Sequence, residues 1–409
     1  MTTEPPAESS FDPSAVLAGP PEPWAETDMP SLRAGPPWHM SEMIAAEAAI
    51  AERLLARLSE PGGAAARLAL AIRSTAAAGR PIVIVGCGTS EHGAVGAAAI
   101  LREAAGAAGL PSQPGEAGAP IPIQAFEAAL APVRDGLVIG ISHEGGTWAT
   151  NGALEAAAAA GSRTALITAS ERSPGASIVD PDLVIATGEL DQSWCHTVGY
   201  LAPLVSAASV GAHLSGQPID VPAAVALLSA GRPAGPAEIA ATALAGVRQL
   251  LTVGSGADRV AARELTLKVE EATWLPSAMR DLETFLHGHL PAADDFSGLV
   301  LILVEPRERA ARVARARNAL AAAREVGVRS AAILAEGAAA EIEDNLTPAG
   351  RIVVAEAAKL PPSVAALLGS LVPLQLVTER LARVRGTNPD PIRRDDARYR
   401  RASEVGSPG

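Results

Sequence analysis

Lysine is almost missing from this chain of 409 residues: only Lys268 and Lys359 occur. Arginine supplies the remaining basic charge, so a lysine inside a motif carries information, although genomic base composition would produce the same bias. Positive charge is short overall. Lys and Arg number 33 against 45 Asp and Glu, a net charge of −12, which argues against nucleic acid as the main partner. Cysteine is scarce as well. Cys87 and Cys195 cannot build a disulfide framework, and a reducing, cytoplasmic setting fits. No apolar run of about 18 residues is free of charges or turn formers, so no membrane span is expected. Residues 1–29 lack the basic start and apolar run of a signal peptide. Rich in Pro, Glu, Ser and Thr, they read as a disordered tail.

What is present is an Ala- and Gly-rich globular composition, 48% apolar and 19% charged, in a chain long enough for two domains with real cores. Short β-rich runs alternate with long helical stretches. The first half gives runs at 81–85, 121–125, 137–141, 164–168 and 183–186; the second gives 250–253, 299–303, 330–334 and 352–354. This alternation predicts parallel sheets with helices on both faces. The halves look like one theme used twice, since each opens with a strand, a Gly-containing turn and a helix: "VGCGTS" at 85–90 and "VGSGAD" at 253–258. The Pro- and Gly-rich stretch 215–236 reads as the join, and 40–58 as a leading amphipathic helix.

Ligands of open α/β sheets bind at the carboxyl ends of strands. That singles out the loops Gly86–Ser90, Ser142–Thr147 and 187–200, which should converge at one edge of the first sheet. In the first, Gly86 and Gly88 permit a tight turn while Thr89 and Ser90 offer hydroxyls at a helix start. In the second, Ser142 and Thr147 repeat the hydroxyls, with His143, Glu144 and Gly145 between them. Simple capping would explain either loop alone; two on neighbouring strand ends point to a ligand. Strand-to-helix loops commonly bind anions, yet Glu144 sets a carboxylate in the middle of this one. The dinucleotide pattern is absent, lacking its third glycine and downstream acid.

The first helix of the second half, "ARELTLKVEEATWLP" (262–276), places Glu264 and Lys268 four apart, the spacing of an exposed ion pair. Lys268 and Glu271 also share a face. Downstream, "ETFLHGHL" (283–290) holds His287 and His289 in a loop. A Glu, a Lys and a His brought to one cleft would serve proton transfer. Five of the seven histidines, His92, His143, His196, His287 and His289, fall in these segments. No C-x-x-C or H-x-x-x-H spacing accompanies them or the two cysteines, so no metal site is expected.

These residues resemble the double sugar-isomerase (SIS) domain family, most closely the isomerase half of glucosamine-6-phosphate synthase and related aminosugar deaminases, over about residues 40–395. "CGTS" matches the family's first phosphate loop, including Ser90. "SHEGGT" stands where the family has Ser-Gln-Ser-Gly-Glu-Thr, so Ser142 and Thr147 match and Glu144 replaces a phosphate-binding serine. "LKVEEATW" matches Leu-Lys-Leu-Lys-Glu-Ile-Ser-Tyr, aligning Lys268 and Glu271 with the catalytic Lys and Glu. "LHGH" matches Lys-His-Gly-Pro, aligning His287 with the ring-opening histidine. "PLQL" (373–376) and "RGTNPD" (385–390) match the last helix and tail.

The resemblance implies tandem three-layer α/β/α units with a flavodoxin-like parallel sheet in each. The expected organisation is a tail at 1–39, a first SIS domain at 40–235, a second at 236–384 carrying the catalytic residues, and a C-terminal tail at 385–409 covering the site. It also implies aldose–ketose isomerisation of a hexose derivative through an enediol. In that reading Glu271 moves the proton, Lys268 stabilises the oxyanion, and His287 opens the ring. The implied partners are a small sugar or sugar phosphate and a second copy of the chain, with His287 donated across a homodimer; no cofactor, membrane or nucleic acid is implied. Gly88, Thr89, Ser90, Ser142, His143, Glu144, Gly145, Thr147, Cys195, His196, Thr197 and Arg394 would surround the substrate.

Departures are as informative. No glutaminase domain or N-terminal cysteine nucleophile is expected. The tail lysine that forms a Schiff base in the synthase is replaced by the arginines and aspartates of 391–399. The family's Val-Ala-Ser-Thr-Lys loop reads "WCHTVGY" (194–200), with His196 and Val198 for a serine and a lysine. Glu144 leaves two readings open: it accepts hydrogen bonds from an unphosphorylated sugar, or it turns away while Arg393 or Arg394 helps bind an anion. Deamination of an aminosugar phosphate is an alternative reaction through the same proton transfer. A non-catalytic sugar-binding regulator is an alternative of another class, although no helix-turn-helix is evident.

Overall fold

The computed structural model describes residues 11–406 apart from Glu22, Glu26 and Pro233. Its first half carries helices α1 (His39–Leu58), α2 (Ala64–Ala77), α3 (Thr89–Ala107), α4 (Ala125–Leu130), α5 (Trp148–Ala159) and α6 (Val198–Ser215). Its strands are β1 (Ile82–Gly86), β2 (Pro120–Gln124), β3 (Leu137–Ile141), β4 (Arg163–Thr168) and β5 (Val184–Ala186). They form one parallel sheet in the order β2-β1-β3-β4-β5. Strands β1 and β3 are buried along their whole length, which is why they read as unbroken Val/Ile/Leu runs rather than alternating ones.

The second half repeats the design. Helices α7 (Val221–Ala230) and α8 (Gly235–Leu244) precede β6 (Gln249–Gly254), α9 (Asp258–Thr273), β7 (Ser277–Asp281), β8 (Ser297–Leu303), α10 (Arg309–Glu325), β9 (Arg329–Ala335), α11 (Glu336–Ala339), β10 (Arg351–Val354), α12 (Pro362–Arg385) and α13 (Ala397–Gly406). The sheet order β10-β9-β8-β6-β7 is the first sheet's order read from the other edge, again parallel throughout. Two like sheets with helices between them are the tandem α/β architecture expected from the internal repeat.

The sequence reading differs from the structure in three places. β7, "SAMRD", was not foreseen, because an edge strand that is nowhere fully buried shows no apolar run. The join at 215–236 contains α7, whose Ala224, Leu227 and Leu228 are buried against neighbouring helices. The described part of the expected disordered tail, from Phe11 to Trp38, has no regular structure but is packed down. Leu17 is buried and its N–H donates to Glu189 (3.0 Å), while Leu190 N–H donates to the Ala18 carbonyl (3.0 Å). Residues 1–10 lie outside the described residues.

α6 and α12 are long and apolar enough to cross a membrane, but 83% and 89% of their most apolar stretches are buried inside the protein. They are core helices. α3 runs against α6 and α9 at Gly96, where a Cβ would stand 2.4 Å from Leu204 and 3.6 Å from Val260. That close approach joins the two halves and brings α9 up to the first sheet's strand ends.

Candidate active site

The order 2-1-3-4-5 leaves a crevice where the chain diverges between β1 and β3. The loops after those strands, the 191–199 loop and the C-terminal tail close around a cavity of about 620 Å³ there. Gly88, Thr89 and Ser90 line it from the start of α3; His143, Glu144 and Thr147 from the loop before α5; His196 and Trp194 from the loop before α6. Glu271 reaches it from α9, and Ile392 and Arg394 from the tail. The loop Ser142–Thr147 turns at Gly145, which has φ +69°; a Cβ there would overlap the Ser173 hydroxyl at 2.1 Å.

Charge inside α9 sets the chemistry. Glu264 and Lys268 are both wholly buried, not an exposed pair as their spacing suggested. The Lys268 ammonium lies 3.6 Å from Glu264 and 2.5 Å from Glu271. Glu264 also accepts from the Thr89 hydroxyl (3.2 Å) and contacts His92 Nδ1 (2.7 Å). Burial works against both charges. For Glu264 the neighbouring Lys268, His92 and Thr89 outweigh it and hold the carboxyl below its ordinary value. For Lys268 the Glu271 and Glu264 carboxylates outweigh it and hold the ammonium well above its usual range. At Glu271 burial wins over Lys268, and the pKa is raised. Of the three, only Glu271 lines the cavity. It is a carboxyl tuned upward beside a fixed cation, the property wanted in a group that takes and returns a proton.

The 191–199 loop is pinned by Asp191, which sequence reasoning missed. Its carboxylate accepts the N–H groups of Ser193 (3.1 Å), Thr197 (2.6 Å) and Gly199 (3.1 Å), so it caps α6 from outside the helix. The one available signal was the short-range turn that an Asp makes two residues ahead. The Asp191 N–H donates to His143 Nε2 (2.9 Å), which fixes that ring as the Nδ1–H tautomer. The His143 and His196 rings meet with centroids 5.1 Å apart and planes tilted by 58°. Burial, reinforced by His196, lowers His143 to about 4. Burial, reinforced by Lys268, lowers His196 to about 3. Both rings are neutral at pH 7.

The tail is held by Asp390, whose carboxylate accepts the first N–H groups of α1, from His39 (2.9 Å) and Met40 (2.9 Å). Its carbonyl accepts from Trp194 N–H (3.0 Å). The Arg394 guanidinium then lies over the Trp194 ring at 4.9 Å, while Arg393 is turned out against Trp274 and Tyr399.

Several expected site residues stand off the cavity wall. Ser142, Cys195, Thr197 and Lys268 are buried behind it, and Gly145 shapes the loop without lining. Burial pushes the Cys195 thiol well above its ordinary value, so it is no nucleophile. The His287 side chain is 69% exposed, paired with Glu283 (2.6 Å) and absent from this wall. The N-terminal segment contributes Trp24, Thr27, Asp28 and Met29, which composition alone hid.

At the equivalent point of the second sheet the loops after β6 and β8 are tied to each other. Asp258 accepts the N–H groups of Val304 (2.9 Å) and Glu305 (3.0 Å), and Glu305 accepts from Ala257 N–H (3.2 Å) and Arg307 (2.8 Å). Burial raises Asp258 to about 8. A separate depression of about 330 Å³ is lined by Leu55, Ser209 and His213, and the His213 ring contacts the Leu58 carbonyl. Among its described lining residues His213 is the one ionisable group.

No family model matches the sequence, and no curated protein does. Solved structures are similar in fold. The C-terminal domain of glucosamine-fructose-6-phosphate aminotransferase from Francisella tularensis superposes with a TM-score of 0.72 at 17% identity, covering 88% of this chain and 99% of its own. Tagatose-6-phosphate ketose/aldose isomerase from Escherichia coli gives 0.67 at 18% identity, covering 90% and 98%. Glucosamine-6-phosphate deaminase from Thermotoga maritima gives 0.60 at 15%, covering 86% and 96%. At these identities the likeness is one of architecture: two parallel α/β/α units in series, as in those structures.

Proposed function

We propose that the chain is a sugar isomerase that moves a proton between C1 and C2 of a hexose or hexose derivative. One observation carries this: of a buried Glu–Lys–Glu set, only Glu271 opens onto a sugar-sized cavity, with its pKa raised. In the open-chain aldose, Glu271 takes the C2 proton while the carbonyl oxygen at C1 gains one, giving the enediol. Returning the carbon proton to C1 and releasing the O2 proton leaves the ketose. Atoms and charge balance without a redox partner. Lys268, buried behind Glu271, fixes that carboxyl's position and charge. Arg394 is the one cation among the described lining residues, which makes it the group available to steady the developing oxyanion. The exposed His287 serves ring opening in the cavity of a second copy, which makes the working unit a homodimer. The neighbouring folds that are named as isomerases and deaminases support this reading at the level of reaction class.

The test is proton exchange. The purified chain is incubated in D2O with hexoses, hexose 6-phosphates and glucosamine 6-phosphate, and deuterium at C1 and C2 is followed by NMR. Exchange in the wild type, lost at least about 10³-fold in Glu271→Gln with binding retained, is the expected result. Ammonia release alongside exchange assigns the deaminase reaction. Binding without exchange in the wild type refutes catalysis and leaves a sugar sensor.

A further inference from the structure

The C-terminal tail grips the end of the helix that carries Glu271. α9 ends at Thr273, and its cap, Trp274, is left-handed at φ 58°. The tail takes the last carbonyls of the helix: the Thr387 hydroxyl donates to Ala272 (2.7 Å) and Arg385 Nε donates to Thr273 (3.4 Å). Further along, the Arg393 guanidinium lies over the Trp274 ring at 4.4 Å and over the Tyr399 ring at 3.9 Å. The chain turns sharply to reach them. Ile392 has φ 42° and Arg393 φ 66°, two successive left-handed residues that carry side chains. A β-branched residue seldom adopts that conformation, which persists only where the surroundings over-determine it. The turn is closed by Ile392 N–H to the Pro389 carbonyl (3.2 Å) and Arg394 N–H to the Pro391 carbonyl (2.8 Å). Its effect is to send neighbouring side chains apart: Ile392 and Arg394 line the cavity, whereas Arg393 is turned out onto Trp274.

Arg393 is not among the residues that line the cavity, yet it stands between two that are. Arg394 follows it directly, and its partner Trp274 is the cap of the helix that carries Glu271. The other anchor of this part of the tail is Asp390, which is bonded to the start of α1 and to Trp194 and leaves α9 untouched. The cation–π contact is therefore the tie that sets the turn at 391–394 against the end of α9. Resting on the isomerase reading above, we propose that Arg393 is a positioning residue. Its contact with Trp274 holds Arg394 and the Glu271 carboxyl in the register that proton transfer needs. A misplacement of about 1 Å can cost about a hundredfold in such a step. The loops after β1 and β3, which line the other side of the cavity, do not touch this tie. Its loss falls on kcat and spares KM.

The experiment follows deuterium exchange by NMR with the full-length chain in D2O, using the hexose or hexose 6-phosphate that the wild type exchanges fastest. Arg393→Asn keeps a residue that tolerates the left-handed turn and drops the cation. Its kcat should fall about tenfold or more, with KM within about threefold of wild type. Trp274→Asn keeps a tolerant helix cap, removes the ring, and should lower kcat to a similar extent. Trp274→Phe leaves a ring under the guanidinium and should retain most of the rate. The double variant, Arg393→Asn with Trp274→Asn, should be no slower than the slower single variant, because both break one contact. Melting temperatures are read alongside. A kcat within about twofold of wild type in Arg393→Asn, whether or not its Tm falls, overturns the inference and leaves the isomerase reading standing. Losses that multiply in the double variant do the same. No exchange of any sugar by the wild type overturns both.

Discussion

Replacing Asp191 by alanine removes the acceptor for three backbone N–H groups in one step. The carboxylate is 4% exposed and its bonds to Ser193, Thr197 and Gly199 run from 2.6 to 3.1 Å. A buried N–H left unpaired costs about 1–3 kcal/mol. Part of that returns, because the buried carboxylate is itself held at a cost: burial raises its pKa. A net loss of about 2–4 kcal/mol is expected. Unfolding entropy near 2.1 cal/mol/K per residue makes this a fall of about 2–5 °C in Tm for a unit of this length. Asp191→Asn is the sharper control. Its carbonyl can keep Thr197 and Gly199, while its amide meets the Ser193 N–H donor to donor, for a loss of about 1 kcal/mol. Thermal and urea unfolding of both variants provide the measurement. Because the loop carries Trp194 and His196 to the cavity wall, sugar binding should weaken in Asp191→Ala by more than its stability loss alone implies. A Tm within about half a degree of wild type for Asp191→Ala, or a larger loss in Asp191→Asn, refutes the pinning argument.

Two further outcomes follow from the buried charges. His143 and His196 are depressed to about 4 and about 3, so the unfolded chain takes up protons below pH 6.5 that the folded chain refuses. Stability is full above about pH 6.5 and falls as the pH drops toward 4, by about 3 kcal/mol if His143 alone sets it. His143→Gln, which keeps an acceptor for the Asp191 N–H, should flatten that slope in urea titrations; an unchanged slope contradicts the assignment. Glu264→Gln should destabilise by about 2–4 kcal/mol, since it leaves Lys268 buried with one carboxylate fewer. Glu264 also raises Glu271 by its charge. Its removal should therefore move the acid limb of the pH–rate profile to lower pH, and a limb that stays or rises rules the coupling out.

The local pattern determined the tandem α/β architecture. A strand buried on both faces must be an apolar run, and "PIVIV" or "LVLIL" has no other use in a water-soluble sheet. The same logic placed the loops at strand ends and set Lys268 and Glu271 on one helical face. Only the tertiary structure decided that Glu264 and Lys268 lie inside rather than in solvent. Spacing along a helix shows which residues share a face, not whether another element covers it, and here α3 brings Thr89 and His92 onto Glu264. Likewise Asp390 caps a helix whose start lies 351 residues earlier, and the N-terminal segment reaches Glu144 across the first domain. Each rests on one or two polar contacts between segments with no shared period or composition. It exists because the folded sheet brings the two ends of the chain to one crevice, and nothing local to either end encodes that meeting.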